Sequence, residues 1–257
     1  MSGRLTVVGL GPGNGCWLTP QADAALAAAD AVYGYGAYLD RVPVRSGQAR
    51  RPSDNREEQA RAAAALGHAA TGANVAVVSG GDPGVFAMAA AVCAEIEAGP
   101  PQWRALDVAI VPGITAMLAV AARAGAPLGH DFCAISLSDN LKPWETIERR
   151  LDAAAGAGFV IAIYNPVSRA RPWQLGAAFD RVGRLLPGTT PVIFGRAVGR
   201  DGEQVEIATL ATAKSVAAEV ADMATLVIIG SADTRVVERA GRAPLVYTPR
   251  AVARAAE

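Results

Sequence analysis

The side chains able to do chemistry in this chain stand beside glycines. Asp82 lies in the stretch Val75-Ala76-Val77-Val78-Ser79-Gly80-Gly81-Asp82-Pro83-Gly84-Val85-Phe86. Val75, Val77 and Val78 make a short buried strand, and Ser79, Gly80 and Gly81 turn the backbone with no bulky side chain in the way. Asp82 then falls where a helix N-cap belongs and Pro83 at the first helical position, which predicts a helix from Gly84 to Glu97. A strand that ends in a bare loop and feeds a helix is how open α/β sheets build ligand crevices. Three more such loops follow strand candidates: Gly9–Gly13, Gly34–Gly36 and Pro112–Thr115.

Phosphate chemistry does not fit these loops. Gly9-Leu10-Gly11-Pro12-Gly13 has Asn14 where a dinucleotide fingerprint needs its third glycine, and Pro12 removes a backbone donor. Tyr33-Gly34-Tyr35 stands where a ribose-binding acid would end the second strand, and no Gly-Lys-Ser/Thr run exists. Metal and disulfide chemistry is equally poorly supplied. The three cysteines, 16, 93 and 133, form no CxxC pair, and His68 and His130 are the only histidines.

The elements that must position these residues read as βαβ units through the first half, so a mainly parallel sheet is expected. Leu5–Val8, Ala31–Tyr33, Val75–Val78 and Asp107–Val111 are its strand candidates. Thr19 and Pro20 open a helix, and Asp54 with Glu57 suggests a capping box for a second one reaching Ala70. Ala126-Pro127-Leu128-Gly129 reads as a hinge, giving domains 1–126 and 127–257. The second has strand candidates at Phe132–Leu137, Phe159–Tyr164, Pro191–Phe194, Val205–Ala208 and Leu226–Ile229. Helices are expected near Thr146–Ala155, Trp173–Leu186 and Ala213–Met223, and Gly199-Arg200-Asp201-Gly202 signals a hairpin, so a mixed sheet is expected there. The fold class is therefore α/β, with two α/β domains.

Of 257 residues, 51% are hydrophobic, enough for a sizeable core. Twenty-four basic and twenty-four acidic residues cancel, which argues against a nucleic-acid or membrane-surface binder. No signal peptide and no apolar run of membrane-spanning length is visible, so a cytoplasmic protein is expected.

Three stretches in order and spacing, Gly9–Gly13, Ser79–Phe86 and Pro112–Ala116, resemble the signature motifs of the tetrapyrrole methylases, S-adenosylmethionine-dependent enzymes of cobalamin and sirohaem biosynthesis. Ser136–Trp144, Tyr164–Arg169 and Gly195–Arg200 resemble the branch that methylates C17 of precorrin-3B, or its cobalt form, with ring contraction. The resemblance covers nearly the whole chain. It implies a cofactor cleft between the two domains and a homodimer. Carried onto matching positions, it assigns cofactor binding to Gly81, Asp82, Val85, Phe86, Thr115, Ala116, Tyr164, Asn165, Ala197, Ala224, Thr225 and Leu226, and sets Pro12 on the substrate side. The cofactor carries no phosphate, which agrees with loops that offer backbone groups, one carboxylate and one threonine.

A substrate rimmed with carboxylates calls for arginines and lysines. Arg41, Arg45, Arg50, Arg51, Lys142, Arg169, Arg171 and Arg200 are the candidates, each of which a solvated surface charge also explains. Tyr33, Tyr35, Tyr38 and Trp144 can offer ring faces to a flat ligand or simply pack. Asp139 with Ser138 is the candidate acid–base pair, and a turn or cap accounts for it as well. Another regiochemistry within the family, a non-catalytic tetrapyrrole carrier and a nicotinamide dehydrogenase remain as alternatives.

Overall fold

The computed structural model describes residues 3–251. The chain divides into two compact units, Met1–Ala116 and Met117–Glu257.

The first unit contains β1 (Arg4–Gly9), α1 (Pro20–Ala28), β2 (Ala31–Tyr35), α2 (Gly36–Leu39), β3 (Ala49–Ser53), α3 (Glu58–Ala69), β4 (Asn74–Ser79), α4 (Met88–Ala98) and β5 (Asp107–Val111). The strands form one sheet in the order β3-β2-β4-β1-β5, all parallel. A parallel sheet needs cover on both faces, and the alternation of side chains supplies it. Leu5, Val7, Val75 and Val77 pack with Ala62, Leu66, Met88 and Val92 of α3 and α4. Val8, Val32, Ala76 and Val78 pack with Ala22 and Leu26 of α1 and with Leu39.

Helix starts show where local signals prevail. Thr19 Oγ1 accepts from the Ala22 N–H at 3.1 Å, capping α1 as its sequence suggests. Only half of the capping box before α3 forms. The Glu57 carboxylate accepts from the Asp54 N–H at 2.9 Å, while Asp54 Oδ1 takes the Asn55 N–H and caps no helix. α4 departs further. It begins at Met88 rather than Gly84, behind Ala87, which gives no side-chain cap. Asp82 is not an N-cap: its oxygens are taken by loop amides, and Phe86 at φ +52° breaks the helical path between them and Met88.

The second unit contains the rest of α5 (Ala116–Ala124), then β6 (Gly125–Ala126), β7 (Phe132–Ser136), α6 (Trp144–Gly156), β8 (Val160–Tyr164), α7 (Gln174–Val182), β9 (Pro191–Arg196), β10 (Gln204–Thr209), α8 (Ala213–Val220), β11 (Thr225–Ile229), β12 (Arg235–Arg239) and β13 (Arg242–Tyr247). Its main sheet runs β10-β9-β11-β8-β7 and is mixed: β7 and β8 are parallel, and the other neighbours antiparallel. The hairpin around Gly199–Gly202 joins β9 to β10. One face of the sheet carries Ile161, Ile163, Phe194, Val227 and Ile229 against α6 and α7. A small second sheet, β12-β13-β6, was not anticipated; the residues read as a hinge include Ala126, the end of its shortest strand.

The sequence put the division at 126/127, whereas α5 from Met117 onward goes with the second unit. Val120 of α5 packs so closely on β9 that a Cβ at Gly195 would stand 2.2 Å from its Cγ2. Gly195→Ala should therefore destabilise the protein by about 1–3 kcal/mol through overpacking. Adding Val120→Ala should return part of that loss. Urea unfolding of the two single variants and the double variant measures the coupling, and additive effects would show that the contact is not close.

Candidate functional site

In the first unit every strand ends on the same edge, and three of the following loops are joined there through backbone atoms. Gly11 and Gly81 exchange both of their N–H···O bonds, at 3.1 and 2.9 Å, and Leu10 N–H donates to Ser79 O at 2.9 Å. Asp82 adds the third loop: Oδ1 accepts from Gly84 N–H at 2.8 Å and Oδ2 from Gly113 N–H at 3.0 Å. A Cβ on Gly113 would lie 2.3 Å from Gly81 O, so no other residue fits this approach. Thr115 Cα lies 3.7 Å from where a Cβ of Gly81 would stand, and Ala116 N lies 3.9 Å from it. The structure thus gathers Gly81, Asp82, Thr115 and Ala116. Val85 and the half-exposed Phe86 close the turn beyond them.

The basic cluster of the first unit is mostly spoken for. Arg41 Nη2 donates to the carbonyls of Leu10, Gly11 and Gly13 at 3.1, 2.8 and 2.7 Å, holding the loop that carries Pro12. Arg45 pairs with Asp23 at 2.9 Å. Arg50 donates to the carbonyls of Val42, at 3.0 Å, and Leu39. Arg41 and Arg50 thus brace backbone and Arg45 is held in an ion pair, so all three guanidiniums are engaged within the protein. The Tyr35 ring, at the end of β2, meets Tyr38 edge-on at 5.4 Å, and Tyr38 lies against Gly80.

In the second unit β7, β8 and β9 run the same way and β10 and β11 the opposite way. The ends of the first three therefore share an edge with the starts of the last two, and the candidate residues collect along it. Ser136 Oγ accepts from Asn165 Nδ2 at 2.9 Å and from Ser138 N–H at 3.3 Å. Asp139 Oδ2 accepts from Gln174 Nε2 at 3.3 Å. Tyr164 Oη accepts from Met117 N–H at 3.2 Å. Ala197 N–H donates to Ala224 O at 3.0 Å, and Ala197 O accepts from Arg200 N–H at 2.9 Å. Leu226 follows the buried Thr225 into β11.

The cations on this edge differ in their surroundings. Burial, with Arg150 adding to it, holds the Lys142 ammonium below the usual lysine range. Arg169 and Arg200 are exposed. Arg171 is fixed by a two-way backbone pairing with Ser168, at 3.2 and 2.9 Å, and its Nη1 is buried with no hydrogen-bond partner. Trp144 spends one side on Trp173, with ring centroids 4.8 Å apart.

Three residues other than glycine have positive φ among those described: Phe86 at +52°, Asn165 at +50° and Ala197 at +49°. All three are among the residues the sequence singled out for a cofactor. Such conformations cost on the order of 1–3 kcal/mol and concentrate where a site needs a particular backbone shape. Asp222 went unnoticed in the sequence although it organises the turn into β11. Its Oδ1 accepts from Ala224 N–H at 2.8 Å and from the Thr225 hydroxyl at 3.1 Å, and Oδ2 pairs with Arg196 Nε at 2.8 Å. The signal that could have found it is the Asx-turn pattern Asp222-Met223-Ala224-Thr225.

Residues 4–214 match the family model of the tetrapyrrole (corrin/porphyrin) methylases. The chain is 61% identical over 257 residues to the precorrin-3B C(17)-methyltransferase of Sinorhizobium sp, covering all of both chains. It is 41% identical to a probable cobalt-factor III C(17)-methyltransferase of Salmonella typhimurium, over 96% of this chain and 98% of that one. The crystal structure of the methyltransferase CobJ superposes with a TM-score of 0.89 at 48% identity, covering 96% of this chain and 100% of that one.

Asp82→Ala strands two loop amides and should lower stability by about 1–3 kcal/mol. Hydrogen exchange should speed up at Gly84 and Gly113 in particular, and unchanged protection there would separate the carboxylate from the loops. Asp222 makes a pH prediction. Burial works to raise its carboxyl, but the Ala224 amide, Arg196 and the Thr225 hydroxyl outweigh it and hold it below the usual carboxylate range. With the folded value depressed, its stabilisation is present above the unfolded value of about 3.9 and is lost as pH falls through the folded one. The stability gap between wild type and Asp222→Asn should therefore close on acidification, as followed by urea unfolding at stepped pH.

Proposed function

The chain belongs to the tetrapyrrole methylases, and we propose that it transfers a methyl group from S-adenosylmethionine to C17 of precorrin-3B, with ring contraction to precorrin-4, in cobalamin biosynthesis. The observation that carries this reading is the 61% identity to the Sinorhizobium enzyme along the full length of both chains. The Salmonella relative makes the cobalt form the second substrate to test.

The chemistry of the loops suits the cofactor. The approach of Gly113 to Gly81 O excludes a Cβ at 113, and Gly81 at φ +67° favours glycine, so the surface presented is backbone N–H and C=O. No lysine or phosphate cradle stands there, and a sulfonium cofactor needs none. Gly81, Asp82, Val85, Phe86, Thr115 and Ala116 are the residues of the first unit assigned to hold it. Those of the second are Tyr164, Asn165, Ala197, Ala224, Thr225 and Leu226. When bound, the cofactor supplies an already activated methyl group. What remains for the protein is to orient the acceptor carbon and exclude water.

Asp82 serves that task through the loops, since both of its oxygens are engaged by backbone amides. Pro12 and Tyr35, with Lys142, Arg169, Arg171 and Arg200, are assigned to the substrate. The buried unpartnered Nη1 of Arg171 supports its place among them, because a carboxylate would satisfy it. Asp139, steadied by Gln174, with Ser138 beside it, is assigned proton transfer during ring contraction. Among the described residues no helix is long and apolar enough to cross a membrane. A cytoplasmic homodimer completes the reading.

Incubation with labelled S-adenosylmethionine and either precorrin-3B or its cobalt form, followed by mass spectrometry and NMR of the product, tests the assignment. Methylation at C17 is expected, and a product methylated elsewhere, or none, overturns it. Asp139→Asn should slow single-turnover product formation by at least about tenfold while leaving S-adenosylhomocysteine affinity unchanged. An unchanged rate would remove Asp139 from the reaction.

A further inference from the structure

On the α3 side of the first unit's sheet lies a cavity of about 450 Å³ that is widely open to solvent, lined by Tyr33, Arg50, Arg51, Ser53, Glu57 and Arg61 together with Pro52, Ala60 and Ala64. Arg61 is its unusual member. The residue is only 5% exposed. Its guanidinium donates to Ser53 Oγ at 2.7 Å, Asp54 O at 2.6 Å and Met88 Sδ at 3.2 Å, all neutral acceptors. Among the described residues it has no ion pair. Burial pulls its pKa below the usual arginine value, with Glu58 and Glu57 acting only from a distance against that effect. A buried cation without a bonded anion is costly, and proteins keep buried charges paired.

The surroundings sharpen the imbalance. Three arginines line the cavity against one glutamate, and Glu57 already accepts the Asp54 amide. Arg50 is turned to the carbonyls of Val42 and Leu39. Arg51, on the edge strand β3, is exposed and has no ion pair among the described residues. A buried guanidinium held by neutral acceptors and an exposed one with no ion pair among the described residues make a receptor for an anion. The Tyr33 ring, steadied by His68 Nδ1 at 3.2 Å from its hydroxyl, and the alanines of α3 give the same cavity an apolar wall. The volume is far larger than one water needs and falls within the range of small-molecule sites.

We propose that this cavity is a carboxylate-binding site, with Arg61 and Arg51 as the cations that receive a carboxylate on a short alkyl arm. The hydrocarbon of the arm lies against Tyr33, Ala60 and Ala64. Such an arm is found on the rim of a tetrapyrrole and also as a free short-chain carboxylate. The first source rests on the function proposed above; the preference of the cavity for a carboxylate does not. Ser53 ends β3, Asp54 follows it and Met88 follows the β4 loop, so the partners of Arg61 lie toward the same sheet edge as the glycine loops.

Calorimetric titration of wild type, Arg51→Ala and Arg61→Lys with uroporphyrin III, succinate and S-adenosylhomocysteine tests the site and its source. If the occupant is an arm of the macrocycle, uroporphyrin affinity falls by about tenfold or more in the variants, and S-adenosylhomocysteine affinity stays the same. If it is a free carboxylate, succinate binding falls and uroporphyrin binding does not. Binding of both ligands that is indifferent to Arg51 overturns the proposal, as does a wild type that binds neither. Arg51 is exposed, so its variant keeps the test sound even where Arg61→Lys folds poorly. Loss of S-adenosylhomocysteine binding by the wild type itself would strike the methyltransferase reading and leave the cavity standing.

Discussion

The first unit depends on backbone meeting backbone where β1 and β4 end. Each of these neighbouring strands sends its following helix to a different face of the sheet: α1 covers the face of Val8 and Val78, α4 that of Val7 and Val77. Chains that diverge in this way open a crevice at the strand ends, where α/β sheets place their ligands. Here Gly11 and Gly81 bridge the crevice by exchanging two hydrogen bonds, and Asp82 extends the join to the loop after β5. One carboxylate and a set of absent Cβ atoms therefore fix the shape of three loops. The surface left for a ligand is peptide groups, with little side-chain charge.

The second unit reaches a similar result by other means. Its edge is shaped by short polar side chains folded back on the main chain: Asn165 on Ser136, Asp222 on Ala224 and Thr225. Two residues there, Asn165 and Ala197, take the left-handed conformation without being glycine. Asparagine tolerates it and alanine less so. Ala197 is held in it from both sides, by Ala224 O at its own amide and by the Arg200 amide on its carbonyl. The strain persists because neighbouring hydrogen bonds over-determine the turn.

What the sequence made legible follows the range of the signal. Thr19 caps α1 and Gly199–Gly202 turns a hairpin because both effects act within a few residues. The βαβ order of the first half led to a parallel sheet, and the adjacent pairs Val7-Val8 and Val77-Val78 are buried on its two faces. Asp82-Pro83 carried as strong a helix-start signal, yet the carboxylate found the Gly113 amide thirty-one positions away and α4 began later. No local pattern encodes that partner. The β12-β13-β6 sheet was hidden for a related reason. β6 is two residues long, β13 contains Pro244, and β12 sets Val236 and Val237 side by side, without the period of two.

The arginines show the same limit most plainly, because a cation's role depends on acceptors that a sequence does not mark. Every residue has a carbonyl, so nothing in the sequence tells a scaffold arginine from a ligand arginine. Arg41 and Arg50 sit in a polar, basic stretch and look available, yet each is committed to backbone oxygens. Arg61 sits in an alanine-rich amphipathic helix, a position that reads as solvated surface, and is in fact buried at the wall of a cavity. Its three acceptors are neutral, so they answer its hydrogen bonds but not its charge. Hydrogen bonding and charge compensation are separate requirements of a buried guanidinium. A fold that meets the first and leaves the second to a cavity places its anion in the ligand.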